Sequence, residues 1–443
     1  MNGVQATIET QLKSWKFCPV NLELTHLFRP ALYLDSKSPY LMLSTPSQIA
    51  LVGWTTLSLS SFYLSSLTMG GPALASKGAQ QRFQSPPVGQ TKPASTLSPQ
   101  YRAIDEARKE RFTVDVRRIF TPGTLPKVPV QVQAQDLLTV LSHTRAYFDQ
   151  HGAQDPDVQR LGALGTQGVT MTDVLNTLEF MISVLQEDIA LQKPTRLQDP
   201  DFLNTHFKVI KWRAYHPQNP GQGQLRITKY AAFSHPGSRT KTAEFNIPIY
   251  ALNNQARTDK FYLKYTKQDV LSGLYEPGGK EFGKAKPIAY LTRTGFESAL
   301  LQGTVLIQFD QGSSAFFNVD RSNGIPYVKG LAGPDQKRYW YFQEVDSIRG
   351  YGYQLEATIP IKPGVTFAGD ILNVGLGRMI VLEHHQGGHQ QLQLGVIADT
   401  GGAFLPNLHQ LDFLAGVFNS EPEFYEHIRQ LPEYAQAYIL IKK

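Results

Sequence analysis

"VTFAGDILNVGLGRMIVLEHHQGGHQQLQLGVIADTGGAFLPNLHQLDF", from Val365 to Phe413, is the stretch on which the fold turns. "RMIVLE" and "QLQLGVIA" are short apolar runs separated by a turn at Gly387-Gly388, the pattern of two paired strands. Asp399 ends the second run and is followed by Thr400-Gly401-Gly402. A turn-rich loop then leads to "HQLDF", in which Asp412 sits between Leu411 and Phe413. The terminal "AYILIKK" supplies a further strand, and a compact β-barrel closed by it leaves no exposed edge.

The same character extends upstream. From Phe207 onward, runs such as "FKVIKWRAY", "GQLRITKYAAF", "FNIPIYAL", "KFYLKY", "GTVLIQF" and "SAFFNV" are separated by Gly, Pro and Asn turns and read as strands. Composition agrees: only 18% of the 443 residues are charged, while 36 glycines, 28 prolines, 20 tyrosines and 24 phenylalanines favour turn-rich β structure. Long helical periodicity is confined to Ala134–Gln150 and Thr170–Ala190. In the second, Val174, Leu175, Leu178, Met181, Ile182, Leu185 and Ile189 recur on one face, and Thr170 with Asp173 has capping-box spacing. A helical hairpin over 131–200 follows. The expected class is mainly β, with a barrel at 346–443, a second β region at 201–345 and no internal repeat.

The first 130 residues carry little core. Ile49 to Met69 is uncharged and is followed by Ala73-Leu74-Ala75, a small-residue cleavage pattern, so residues 1–75 read as an upstream extension and a signal peptide. An uncleaved anchor is the alternative. Met42 stands where a conventional signal would begin and is the expected start. Residues 76 to about 100 have linker composition, and the charged segment "YRAIDEARKERFTVDVRRIF" that follows is a candidate helix. Cys18, the only cysteine, lies upstream of the apolar run, which excludes a lipobox, a disulfide framework and a cysteine metal site. The net charge of +6 favours an anionic partner. With no zinc-finger spacing, RNP motif or like-charge block, nucleic acid is not expected.

Among chemical candidates, His384, His385 and His389 cluster in the hairpin turn without a standard metal-binding spacing, so no metal is expected. "VGLGR" lacks the third glycine of a dinucleotide fingerprint, and neither a P-loop nor a G-x-S-x-G elbow occurs. No cofactor is implied. Aspartates remain. Asp399 could simply cap its turn, whereas Asp412 is flanked by apolar residues that desolvate a carboxyl and raise its pKa, as a general acid requires.

Four blocks occur in an order that resembles the MltA-type lytic murein transglycosylases and their "3D" double-psi β-barrel domain. "LSGLYEP" (Leu271–Pro277) is similar to T-G-Y-Y-E-P. "LIQFDQGSSAFFNVDRSNGIPY" (Leu306–Tyr327) is similar to Q-V-Q-G-S-G followed by N-G-x-P-Y. "YWYFQEVD" (Tyr339–Asp346) resembles S-Y-V-F-F-R-E, and "ADTGGAFLPNLHQLDF" resembles A-x-D-T-G-G-A-I-K-G with a following Asp. The likeness spans roughly Phe261 to Phe418.

The resemblance implies that Asp370, Asp399 and Asp412 are the three aspartates of the 3D domain, with Asp412 the catalytic acid and Asp399 its support. It also implies that Tyr275, Glu276, Gln308, Gln311, Gly312, Ser313 and Tyr327 line a glycan groove. "GDILNVGLG" lacks the family's prolines, so Asp370 reads as structural. The expected activity is cleavage of the N-acetylmuramic acid to N-acetylglucosamine bond of peptidoglycan with 1,6-anhydro products, by a monomer in the periplasm or cell envelope with no stable membrane span once the signal is cleaved. A non-catalytic, expansin-like wall-binding protein and a hydrolase using both aspartates are the competing readings.

Overall fold

Among the described residues, fourteen strands join into one hydrogen-bonded sheet that folds back on itself. In the computed structural model the described residues are 99–443, except 106–107, 311, 329, 355–356 and 402–405. Cys18, Met42, the proposed signal segment, nearly all of the linker, and Gln311 therefore lie outside the description. Among the described residues no helix is long and apolar enough to cross a membrane.

The main strands are β1 (Phe207–Trp212), β2 (Leu225–Ser238), β3 (Ile247–Leu252), β4 (Ala285–Leu291), β5 (Thr304–Phe309), β6 (Ser314–Ser322) and β7 (Trp340–Val345), followed by β8 (Thr366–Ala368), β9 (Met379–Gln386), β10 (His389–Asp399), β11 (Gln410–Phe418) and β12 (Tyr434–Lys442). The protein is mainly β. In spatial order β2, β11, β8, β10, β9 and β12 are neighbours, and β12 returns to β2 through Tyr434 opposite Arg226 and Ala435 opposite Leu225. Six strands thus form a closed ring. β8 runs parallel to β10, and β11 parallel to β2; the other ring contacts are antiparallel. Val381, Leu394, Val396, Ile397, Leu411 and Ile439 are fully buried in its core.

β2 is fourteen residues long and serves two structures. Its first half pairs with β11; beyond Phe233 it pairs with β5 and β4, which carry a second core built by residues such as Ile249, Phe296, Ile307, Phe317 and Trp340.

Two helices, α1 (Ala134–His151) and α2 (Met171–Ala190), pack on each other, and α2 also lies against β12. Thr170 caps α2 through a reciprocal box with Asp173, while Val174, Leu178, Met181 and Leu185 are buried. The connection between the helices is anchored at Gly162, whose φ is +60° and where a Cβ would meet the Asn373 carbonyl oxygen at 2.2 Å. Asn373 in turn accepts from the Tyr101 hydroxyl and the Ile104 N–H through its Oδ1.

Two local expectations are corrected. The charged segment after the linker is not helical: Gln100–Ile104 and Glu110–Asp115 form an antiparallel hairpin. Its buried positions, Ala103 and Val114, suit strand alternation, and Asp105 accepts from the Lys109 N–H at the turn. "KFYLKY" is not a strand either. Phe261–Lys264 is a single 3-10 turn entered through Lys260 at φ +50°, which lets two consecutive rings, Phe261 and Tyr262, reach the second core.

Replacing Gly162 by alanine is expected to destabilise the protein by about 2 kcal/mol or more, combining a left-handed backbone with a backbone clash. Urea unfolding of Gly162→Ala beside the parent chain measures it, and an unchanged midpoint would contradict this account of the anchor.

Candidate active site

One row of residues crosses four adjacent strands. Asp399 on β10 and Asp412 on β11 both pair with Ala368 of β8, one from each side, and Asp412 pairs on its other side with Thr228 of β2. Two strand spacings place the aspartate Cα atoms about 10 Å apart. The local sequence accounts for the environment: Leu411, Phe413 and Leu414 are buried, and Phe413 packs on Phe367 with ring centroids 5.4 Å apart.

Asp412 is 7% exposed, and its Oδ1 is buried without a hydrogen-bond partner. Burial is the main cause that pushes this carboxyl from 3.8 up to about 7. The charge of Asp399 adds to the rise, while Thr228, Lys229 and Arg226 oppose it. Asp399 is also pushed up to about 7 by burial, but its oxygens are occupied: Oδ2 accepts from the Tyr230 hydroxyl at 2.8 Å and Oδ1 from the Thr400 N–H at 2.8 Å. Burial and the two carboxyls hold the Tyr230 hydroxyl far above its ordinary range, so it stays a donor. Lys229 is brought down to about 8 by burial and donates to the Pro432 carbonyl.

The third aspartate has a different role. Asp370 is fully buried and pushed up to about 7 by burial, yet it accepts from the Asn373 N–H, the Asn373 side-chain amide and the Asn407 N–H. Those bonds tie the loop leading into β11 to the turn after β8. The arrangement thus contains two satisfied carboxyls and one, Asp412, with an oxygen left for proton exchange at near-neutral pH.

The other expected site residues scatter. Tyr275 is 3% exposed, and its hydroxyl shares a hydrogen bond with Tyr341, so it fills the second core rather than lining a groove. Tyr339, Trp340 and Tyr341, aromatic rings of the kind that can also stack on sugar faces, are buried in the same core. Glu276 is exposed and paired with Lys241. Gln308 is exposed on β5, with its amide 3.4 Å from both Ser234 Oγ and Asn419 Oδ1. Gly312 and Ser313 lie in the exposed turn between β5 and β6, and Tyr327 is half-buried beneath the Arg338 guanidinium. The structure therefore gathers Asp399 and Asp412 but not the groove residues around them. His384 and His385 pair with Gln391 and Gln390 across the β9–β10 hairpin, and among the described residues no group of three His, Cys, Asp or Glu could hold a metal.

Thr228, Lys229 and Tyr230 were not singled out from sequence. Their signal was the polar alternation Arg226, Thr228, Tyr230 within a strand; only pairing with β11 gives it a chemical meaning.

No protein-family model and no curated protein matches the chain. Among solved structures it is similar to MltA proteins and other lytic transglycosylases. E. coli MltA with bound chitohexaose is 17% identical, with a TM-score of 0.48, over 73% of this chain and 94% of that one. The membrane-bound lytic murein transglycosylase from Agrobacterium tumefaciens is 16% identical, with a TM-score of 0.47, over 73% and 98%. MltA from Neisseria gonorrhoeae is 14% identical, with a TM-score of 0.44, over 73% and 96%.

A carboxyl raised on folding from 3.8 to about 7 takes up a proton in the folded state, so its contribution is most favourable below pH 4 and is lost as pH rises through about 7. Asp412→Asn removes the ionisation. Its stability relative to the parent is expected to rise between pH 4 and pH 8 by a few kcal/mol. Denaturant titrations at the two pH values check this, and a constant difference would rule out the desolvated carboxyl.

Proposed function

We propose that this protein is a lytic murein transglycosylase whose ring of strands is the double-psi barrel of a 3D domain and whose general acid and base is Asp412. The observation that carries the reading is the Asp412 carboxyl itself: buried, pushed up to about 7, with one oxygen unpartnered, on a strand whose sequence resembles the last aspartate element of the 3D domain.

A glycan bound across the row would have its glycosidic oxygen protonated by Asp412 as the C1–O bond breaks. The C6 hydroxyl oxygen of the same N-acetylmuramic acid then attacks C1, and its proton passes to the Asp412 carboxylate. The products are a free 4-hydroxyl on the departing N-acetylglucosamine and a 1,6-anhydro ring. No water and no second nucleophile are consumed, in contrast to ordinary glycosidases, which need two opposed carboxyls. Asp399, held by Tyr230, raises the Asp412 carboxyl further whenever it is itself ionised and so adds to the effect of burial in favouring the protonated acid. Peptidoglycan as the substrate fits export through the 49–75 segment to the periplasm or envelope, with the protein acting as a monomer.

Digestion of purified sacculi by the chain from Ser76 to Lys443, read by mass spectrometry, should give anhydro-muropeptides. Asp412→Asn should lower the rate by about 10³-fold, and the parent's rate should fall as pH rises through about 7 because the protonated acid is lost. Reducing-end products without the anhydro ring would favour a hydrolase using both aspartates. Binding to sacculi without any product would favour an expansin-like wall protein.

A further inference from the structure

Beyond the far end of β2 the chain forms a concavity. Ser238 of β2 pairs with Tyr290 of β4, and Tyr290 pairs with Pro248 of β3. Pro248 is one wall of a cavity of about 330 Å³. From Thr228 to Ser238 the strand runs on the order of 30 Å, so this cavity is separate from the Asp412 row.

Its chemistry is mixed. Tyr250, Val270, Leu271 and Pro248 form apolar walls, and the Tyr250 ring is fixed edge-on against buried Tyr275 at 5.0 Å between centroids. Lys241 and Glu276 also line the cavity and pair at 3.2 Å, with side chains 55% and 47% exposed. Opposite charges therefore stand together at an accessible rim. An exposed pair of this kind contributes only about 0–1 kcal/mol, so a ligand bearing its own carboxylate and ammonium can take it apart at little loss. Each partner then gains a charge-assisted bond, while the walls bury the ligand's aliphatic part. A neutral sugar offers neither charge. The volume is at the small end for ligand sites and suits a few-residue segment.

We infer that this cavity binds a short peptide carrying both a free carboxylate and a free amine, with the carboxylate on Lys241 and the amine on Glu276. Given the peptidoglycan reading above, on which the natural occupant rests, that occupant is the diamino-acid end of a stem peptide. Glu276 is then a peptide contact, and Tyr275 before it is the buried anchor that holds it at the rim.

The test is calorimetric titration of the full chain with the tripeptide N-acetyl-L-Ala-γ-D-Glu-L-Lys. Saturable binding is expected, weakened about tenfold both by Lys241→Met and by acetylating the lysine side chain of the tripeptide, the loss of one charge-assisted contact. Absence of saturable binding, indifference to both changes, or displacement of the tripeptide by a chitooligosaccharide would each overturn the assignment. Sacculus digestion in parallel separates the two readings. Missing anhydro products with retained tripeptide binding would remove the lytic function and leave the peptide site standing; products without tripeptide binding would do the reverse.

Discussion

The parallel pairing of β2 with β11 is the contact on which the rest depends. It sets Asp412 against Thr228, brings Arg226 and Lys229 alongside, and lets Tyr230 reach Asp399. Because side chains alternate between faces, a slip of one residue would turn Asp412 away from its row and bury a different set. The register is secured from both ends. β12 closes the ring against the start of β2, and the continuation of β2 is locked into the second core by β5 and β4. One strand thus links Asp412 to the sheet that carries the cavity lined by Lys241 and Glu276.

Burial is the dominant electrostatic influence on all three aspartates, and each is pushed up to about 7. Their hydrogen bonds, not their proton affinities, separate their roles. Asp370 accepts three donors and ties two loops together, Asp399 accepts a phenol and a backbone N–H, and Asp412 keeps an oxygen unpartnered. Structural carboxyls of this kind are satisfied because an unmet buried polar atom is destabilising by about 1–3 kcal/mol. An unmet one within a row of buried side chains is a candidate for proton chemistry.

Much of this was legible from residues alone. The hairpin at Gly387-Gly388, the strands around Ile210, Ile227, Ile307 and Phe317, and the apolar setting of Asp412 follow from period-two patterns and turn residues. The hairpin of 100–115 and the 3-10 turn at Phe261 were not, because charged runs and a short aromatic stretch fit helix, strand and turn equally well until their burial partners are known. Tyr275 looked like a groove aromatic, and only packing against Tyr250, Phe261 and Tyr341 assigns it to the core.

By itself the sequence determined the mainly β class, the helical face of 171–190 and the two aspartates of "ADTGGAFLPNLHQLDF", since each depends on neighbours within a few residues. Tertiary structure decided which aspartate keeps an unpartnered oxygen, that Tyr230 holds the other, and that Lys241 and Glu276 share a cavity. These are cross-strand relations between positions tens to hundreds of residues apart, and local periodicity carries no information about register.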